Sequence, residues 1–89
     1  MNLTILSPEK QLFTGPVKSV KVPGAGGEFE MLENHAPIVS SLQAGTVRII
    51  KENGEKVTFE VNGGFVEMLY NEVALLVAGA KSDSEESAG

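Results

Sequence analysis

Apolar and polar residues alternate along most of this chain in short runs, which is the period of a β-strand with one buried face. The runs are rich in β-branched and aromatic residues, as in TVRII, KVTFEV and VALLV. Turn signals built from Gly, Pro and Asn separate them at intervals of roughly 7–10 residues, a spacing typical of sandwiches and barrels. The pattern predicts an all-β domain over residues 1 to about 80.

The segment TVRIIKENGEKVTFEV predicts a β-hairpin whose register can be chosen from burial. A two-residue loop at Asn53-Gly54 would set Val47 opposite Glu60, which places an apolar and a polar side chain on the same face. A three-residue loop ending at Gly54 avoids this conflict and puts the glycine in the left-handed position of a bulge. The predicted pairs are then Ile49 with Val57, Val47 with Phe59, and Lys51 with Glu55.

Two further turns, at Gly63-Gly64 and at Tyr70-Asn71, would continue the sheet as consecutive hairpins. The predicted pairs are Val61 with Val66, Phe59 with Met68, Met68 with Val73, and Val66 with Leu75. The predicted inner face consists of Val47, Ile49, Val57, Phe59, Val61, Val66, Met68, Val73 and Leu75.

The outer face of the same strands keeps three large apolar side chains, Phe65, Leu69 and Leu76. Either a second sheet or a loop covers them, or they form a docking patch for another subunit.

The composition excludes several classes of protein. The net charge of −5 and the absence of a Lys/Arg cluster argue against nucleic-acid binding. The N-terminus has no basic region followed by an apolar run, and no window approaches the roughly 20 apolar residues that span a bilayer. The lack of cysteine fits a reducing, cytoplasmic compartment. Residues 81–89 are acidic and rich in Ser, so we expect a disordered tail.

The stretch GGEFEMLENHAP, residues 26–37, places three glutamates near His35, the only histidine. A Ser-His-Asp triad is excluded on the folded part because the only aspartate, Asp83, lies in the tail, so only a variant with Glu in its place remains. One histidine without cysteine does not make a zinc site. The glycine run lacks the Lys and Ser/Thr of a phosphate loop, which favours a plain turn. These patterns therefore predict no metal site and no cofactor site, and they leave paired carboxylates as the possible catalytic arrangement.

Glu28 and Glu30 are two residues apart on a predicted strand, so both side chains point to one face, with Phe29 and Met31 packed inside. Three interpretations remain open at this point: a solvated face, a partner-contact surface, or an acid/base pair with one raised pKa. His35, in a loop beside a proline, is likewise either structural or functional.

The segment GGEFEMLENHAPIVSSLQAGTVRI resembles the epsilon subunit of F-type ATP synthases, in its N-terminal domain. The family pattern is a glycine-led turn, a Glu, an apolar strand, His-Ala-Pro, a Leu and a Gly, and this chain has them in that order. LTILSPEKQLFTGPVKSVKVP is similar to the first strands of the family, and VNGGFVEMLYNEVALLV to the last. The resemblance covers residues 2 to about 79.

The resemblance implies a two-layer β-sandwich of about ten short, mostly antiparallel strands. It also implies a non-catalytic part of the central rotor stalk that binds the gamma subunit and the c-ring, coupling ion flow to ATP synthesis. The implied location is the cytoplasmic face of a bacterial inner membrane, peripheral and without direct membrane insertion.

The resemblance also assigns contact residues. Glu28 aligns with a family glutamate that meets the c-ring loops, and Phe29 and Glu30 are added because they lie beside it. The resemblance assigns gamma-subunit contacts to His35, Ser40 and Leu42.

Two features depart from the family. Glu30 stands where the family has a small residue, which implies a more acidic ring contact. The chain ends at Gly89, without the C-terminal helical hairpin of many members, so inhibition by that hairpin is not expected. The alternatives from other classes are a free-standing protein- or carbohydrate-binding sandwich and a small acid/base enzyme that uses Glu28 and Glu30.

Overall fold

A computed structural model of the chain describes residues 1–79 and the backbone of residues 81 and 82. The described part contains strands joined by turns. The strands are β1 (Asn2–Leu6), β2 (Gln11–Gly24), β3 (Gly27–Leu32), β4 (Ile38–Leu42), β5 (Gly45–Lys51), β6 (Lys56–Val61), β7 (Gly63–Leu69), β8 (Glu72–Ala78) and β9 (Lys81–Ser82).

The strands form two layers because β2, with 14 residues, is long enough to serve both. Its first half pairs with β1, and its second half pairs with β3 and β5. One layer runs β4-β7-β8-β1-β2 and the other β3-β2-β5-β6-β9. Apart from the parallel β1–β8 pair, the ladders are antiparallel. The predicted all-β sandwich is confirmed, and counting β2 once in each layer turns nine described strands into ten strand segments.

The inward side chains of both layers form one hydrophobic core. All residues of the predicted inner face are buried, and Met31 lies fully inside as expected. Each such Val, Leu or Ile contributes roughly 1.5–3 kcal/mol when fully buried. Burial on this scale holds the two layers together without disulfides.

The predicted hairpin register is confirmed. Ile49 lies opposite Val57 and Val47 opposite Phe59. The amide of Lys51 donates to the carbonyl of Glu55 at 2.8 Å, and their side chains form an ion pair at 3.5 Å. Gly54 has φ 90°, so it closes the three-residue loop in a conformation that other residues rarely adopt.

The predicted hairpin at Gly63-Gly64 is wrong. Strand β7 lies between β4 and β8, and β6 pairs instead with β5 and β9. The proposed pairs Val61–Val66 and Phe59–Met68 therefore do not exist; Val61 lies opposite Gly45 and Val66 opposite Ser40. The chain crosses from one layer to the other at this point, and both glycines begin β7 with positive φ.

The turn at Tyr70-Asn71 is confirmed, with Met68 opposite Val73 and Val66 opposite Leu75. At the C-terminal end, β9 pairs with β6, so strand pairing extends two residues past the predicted boundary at residue 80. The rest of the predicted tail, residues 83–89, lies outside the described residues.

Candidate interaction surfaces

The acidic strand β3 carries its glutamates on the outer face of the sandwich, as the alternation predicts. Each forms an ion pair with a cation of the same layer, one from the adjacent β2 and one from β5 on the far side of β2. Lys21 Nζ lies 3.2 Å from Glu28 Oε1, and Arg48 Nη2 lies 2.5 Å from Glu30 Oε2. The Glu28 side chain is 57% exposed and that of Glu30 38%. Glu28 thus keeps most of its surface in contact with solvent.

This geometry disfavours the acid/base interpretation. A carboxylate pair that exchanges a proton has to share one site, with burial or mutual repulsion raising one pKa. Here Glu28 and Glu30 bind different cations and face solvent. The ion pairs use one oxygen of each group, and a carboxylate offers acceptor positions on both oxygens. The strand is therefore suited to accept hydrogen bonds from a basic or polar partner.

Phe29, the third predicted ring-contact residue, is half-buried and packs against the core from β3. Its ring lies over Gly24, where a Cβ would come within 2.7 Å of both Phe29 Cε2 and the Gly27 carbonyl oxygen. The glycine at this position is required because backbone and ring approach closely. Phe29 therefore anchors the start of β3 and exposes only part of its ring.

The glycine run between β2 and β3 forms a tight turn, as its simplest interpretation predicts. Ala25 donates its amide hydrogen to the Ser41 carbonyl at 2.9 Å, and Gln43 donates its amide hydrogen to the Pro23 carbonyl at 2.9 Å. These bonds tie the turn to the end of β4. Glu28 therefore projects from a fixed end of the sandwich.

His35 lies in the loop after β3, at the opposite end of that strand from Glu28. Its amide donates to the Leu32 carbonyl at 3.0 Å, and its Nδ1 donates to the Ala36 carbonyl at 2.7 Å. The ring is half-buried. The loop backbone thus holds the imidazole in place.

A reciprocal amide pair supports this loop, and sequence reasoning missed it. The backbone amide of Asn34 donates to Asn71 Oδ1 at 2.6 Å, and the side-chain Nδ2 of Asn71 donates to Asn34 Oδ1 at 3.1 Å. Both residues have positive φ, 68° and 62°. Asparagine is one of the few residues that tolerate this region, so both turns carried a local signal, but nothing in the sequence joined them.

The three glutamates of the GGEFEMLENHAP stretch do not converge on His35. Glu33 Oε1 lies 3.2 Å from the amino nitrogen of Met1, while Glu28 and Glu30 bind Lys21 and Arg48. Among the residues that the structure describes, no group of three or more metal-ligating side chains occurs. Proximity in the sequence thus does not produce a joint site.

The two predicted gamma contacts on β4 both point inward. Ser40 is half-buried and its Oγ donates to the Ser41 carbonyl at 2.9 Å. Leu42 is 7% exposed and belongs to the core, so a direct contact through its side chain is not supported. The apolar side chain that this strand exposes most is Val39, at 70%.

The outer face of the β4-β7-β8 layer is apolar and uncovered. Phe65 is 57% exposed, Leu76 53% and Leu69 46%, so neither a second sheet nor a loop of the described chain buries them. Phe65 lies opposite Leu76 on β8 and opposite Ser41 on β4. We call the surface formed by Val39, Phe65, Leu69 and Leu76 the apolar face. A contiguous group of exposed apolar side chains often marks an interaction site, whereas a single exposed apolar side chain is common on any protein surface.

Within the described residues, no helix has the length and apolar character needed to cross a bilayer.

Curated proteins similar to this chain are ATP synthase epsilon chains. The one from Protochlamydia amoebophila is 39% identical over 83 residues, which cover 93% of this chain and 56% of the relative. The one from Chlorobaculum tepidum is 39% identical over 74 residues, covering 83% of this chain and 84% of the relative. The chain spans a little under 60% of the length of the first relatives it matches.

Among solved structures, the chain is similar to a chain of the Euglena gracilis mitochondrial ATP synthase, described as OSCP/F1/c-ring in rotational state 1. The TM-score is 0.84 at 25% identity, covering 97% of this chain and 57% of the other. The family model for the ATP synthase delta/epsilon chain, β-sandwich domain, matches residues 1–83. The chain therefore belongs to the ATP synthase delta/epsilon family, and its described strands form the β-sandwich domain of that family.

Proposed function

We propose that this chain acts as the non-catalytic epsilon subunit of an F-type proton-translocating ATP synthase. In this role it belongs to the central rotor stalk and binds the gamma subunit and the c-ring, coupling ion flow to ATP synthesis. The proposal is supported by family membership over residues 1–83 and by the similarity to a chain in an F1/c-ring assembly. The role requires no cofactor and no small-molecule substrate of its own.

The observation that carries the proposal is the placement of the two predicted contact regions on one rigid scaffold. Glu28 is the second residue of β3, and His35 lies three residues past the end of the strand. At about 3.3 Å per residue, the strand separates Glu28 from Leu32 by roughly 13 Å, with the His35 loop beyond. A close-packed sandwich between two contacts transmits force without deforming. A stalk component that joins the c-ring to the gamma subunit needs such rigidity.

The ring contact is proposed for Glu28, Phe29 and Glu30. Glu28 is the main acceptor because it is the more exposed of the two carboxylates. Phe29 shapes the end of the strand from its half-buried position. Charge-assisted hydrogen bonds from basic or polar ring loops would make this contact.

The gamma contact is proposed for His35 and Ser40, with Leu42 supporting β4 from the core. The apolar face beside them suits a lasting subunit interface, whose centre is more apolar than ordinary surface and carries few charges. One charged residue, Glu67, lies between Phe65 and Leu69 on β7, opposite Val39. Docking through this face would cover the exposed Phe65 and Leu76.

Attachment to the ring would place the chain at the cytoplasmic face of a bacterial inner membrane, as a peripheral component. The bacterial relatives support this location. The contact with the membrane is then indirect, through the ring.

Co-purification tests the proposal. The tagged chain, mixed with the purified gamma subunit of the same organism, is expected to elute with it as one complex in size-exclusion chromatography. Phe65→Ser, on the apolar face, is expected to lose the complex while keeping its far-UV circular dichroism. The matched control is Thr14→Ser, on an exposed part of β2. Separate elution of the wild-type chain and gamma would refute the proposal and favour a free-standing binding module.

A further inference from the structure

Tyr70 occupies an unusual position for a large aromatic residue. It is the first residue of the turn between β7 and β8, with φ 51°, and its side chain is 86% exposed. Two-residue turns of this kind favour Asn or Gly, because positive φ brings the Cβ of other residues too close to the backbone. The exposed ring adds nothing to the core. Fold stability alone would therefore select another residue here.

Tyr70 lines two shallow depressions. One is lined by Asn34, His35, Pro37 and Asn71, beside the loop proposed to meet gamma. The other is lined by Thr4, Glu67, Leu69, Glu72 and Ala74, on the outer side of the β7-β8 layer. Leu69 belongs to the apolar face. Tyr70 thus connects the His35 loop and the apolar face into one continuous surface.

The Asn34–Asn71 amide pair fixes the relative position of these parts. Its two hydrogen bonds join the β3–β4 loop to the β7–β8 turn, across 37 residues of sequence. The turn is held further by the amide of Asn2, which donates to the Asn71 carbonyl at 2.9 Å. His35 follows one member of the pair, and Tyr70 precedes the other. The spacing between His35 and Tyr70 is therefore already fixed in the free chain.

We propose that Tyr70 is an anchor residue for the gamma subunit and that Asn71 is the positioning residue which holds His35 beside it. This inference rests on the proposed function and adds a residue that the sequence pattern did not single out. A tyrosine anchor has an apolar ring and a hydroxyl tip, so the partner surface is a pocket with apolar walls and a polar group at its rim. Preset spacing favours binding, because less conformational freedom is lost on association.

The first test uses Tyr70→Asn, which removes the ring and suits the positive φ. We expect the affinity for purified gamma, measured by isothermal titration calorimetry, to fall about thirtyfold, the scale of an interface hot spot. The melting temperature of the free chain is expected to stay level or rise. Tyr70→Phe, which keeps the ring, is expected to lose tenfold at most. Gln11→Asn, an exposed neutral position on β2, is the matched control and is expected to bind normally.

The second test uses Asn71→Gly, which keeps the turn conformation and removes the amide pair. We expect weaker gamma binding together with faster hydrogen exchange at the Asn34 amide. His35→Ala is expected to cost less affinity in this background than in the wild type, because the histidine is no longer held in place. If Asn71 has a purely structural role, Asn71→Gly will lower the stability of the chain, and its effect on affinity and that of His35→Ala will be additive.

The outcomes separate the two proposals. Normal gamma binding by Tyr70→Asn would overturn the anchor role and leave the proposed function standing. Failure of the wild-type chain to bind gamma would overturn both. If Tyr70→Asn abolishes only self-association of the chain, the surface serves a second copy, and the assignment to gamma is wrong.

Discussion

Lys21 Nζ lies 3.2 Å from Glu28 Oε1, so the carboxylate proposed to meet the c-ring already has a cationic partner within the chain. The pair is diagonal across β2 and β3, since Lys21 lies directly opposite Glu30. Glu30 in turn binds Arg48 from the far side of β2. The intramolecular cations therefore compete with the ring for these acceptors.

Replacing Lys21 with methionine is expected to strengthen ring binding. The substitution keeps the apolar stem and removes the charge that occupies Glu28. An exposed ion pair is worth about 0.2–1 kcal/mol, so the gain is expected to reach at most about fivefold. Titration of the purified c-ring with the labelled chain measures it. Lys56→Met, an exposed lysine on β6, is the control, and weaker binding by Lys21→Met than by this control would contradict the competition.

Reversing the charge of Glu28 is expected to weaken attachment to the ring while the isolated chain stays folded. Glu28→Lys removes the acceptor and places a second cation beside Lys21. A hydrogen bond to a charged group contributes roughly 1.5–3 kcal/mol, so recovery of the ring with the stalk in a pull-down at limiting concentration should fall about tenfold or more. With the neutral variant Glu28→Gln, recovery of the ring should lie between that of the wild type and that of Glu28→Lys. Unchanged pull-down by Glu28→Lys would show that the ring contact lies elsewhere.

Gly64→Ala is expected to disrupt the fold. An added Cβ would lie 2.0 Å from the Leu76 carbonyl oxygen, and Gly64 has φ 142°. The backbone of β8 would have to move, at a cost of about 3 kcal/mol or more, a large part of the 5–15 kcal/mol that stabilises a typical domain. Urea unfolding measures the change. Gly26→Ala is the control, because no heavy atom lies within 4 Å of its added Cβ, and it should stay within about 0.5 kcal/mol.

Truncation of an inner and an outer apolar residue should separate stability from docking. Ile49 is 0% exposed, so Ile49→Ala is expected to lower the free energy of unfolding by about 2–5 kcal/mol. Leu76 is 53% exposed, so Leu76→Ala is expected to lower the free energy of unfolding far less. The same substitution is expected to weaken gamma binding. Denaturant unfolding and gamma titration of both variants make the comparison. A large stability loss in Leu76→Ala with normal gamma binding would contradict the docking role of the apolar face.

Strand alternation was sufficient to predict the inner face of β5 to β8, whose predicted members are all buried. Val61 and Val66 were placed inside, and both are. Their pairing was wrong because period-two alternation assigns a face and does not identify the neighbouring strand. The same residues point inward whether β6 pairs with β7 or, as observed, each pairs within its own layer. The β5–β6 register was predictable because the three-residue loop pairs apolar side chains on one face, whereas the two-residue loop sets apolar against polar side chains.

The candidate site was predictable only in part, for the same reason. Alternation placed Glu28 and Glu30 on the outer face, but their cations come from β2 and β5 and could not be assigned from local pattern. Leu42 was expected at a surface and lies in the core, since its inward phase on β4 brings it there. The Asn34–Asn71 pair joins two turns that are far apart along the chain.

The sequence by itself determined the strand content, the inner face of β5 to β8 and the family, because β-branched runs, alternation and an ordered motif are local properties of the chain. Only the tertiary structure decided which strands are neighbours, which cations bind the glutamates, and that Tyr70 lies beside His35. Those relationships depend on how two sheets stack and where β2 passes from one to the other. Long-range packing energy sets that geometry, and no short segment contains it.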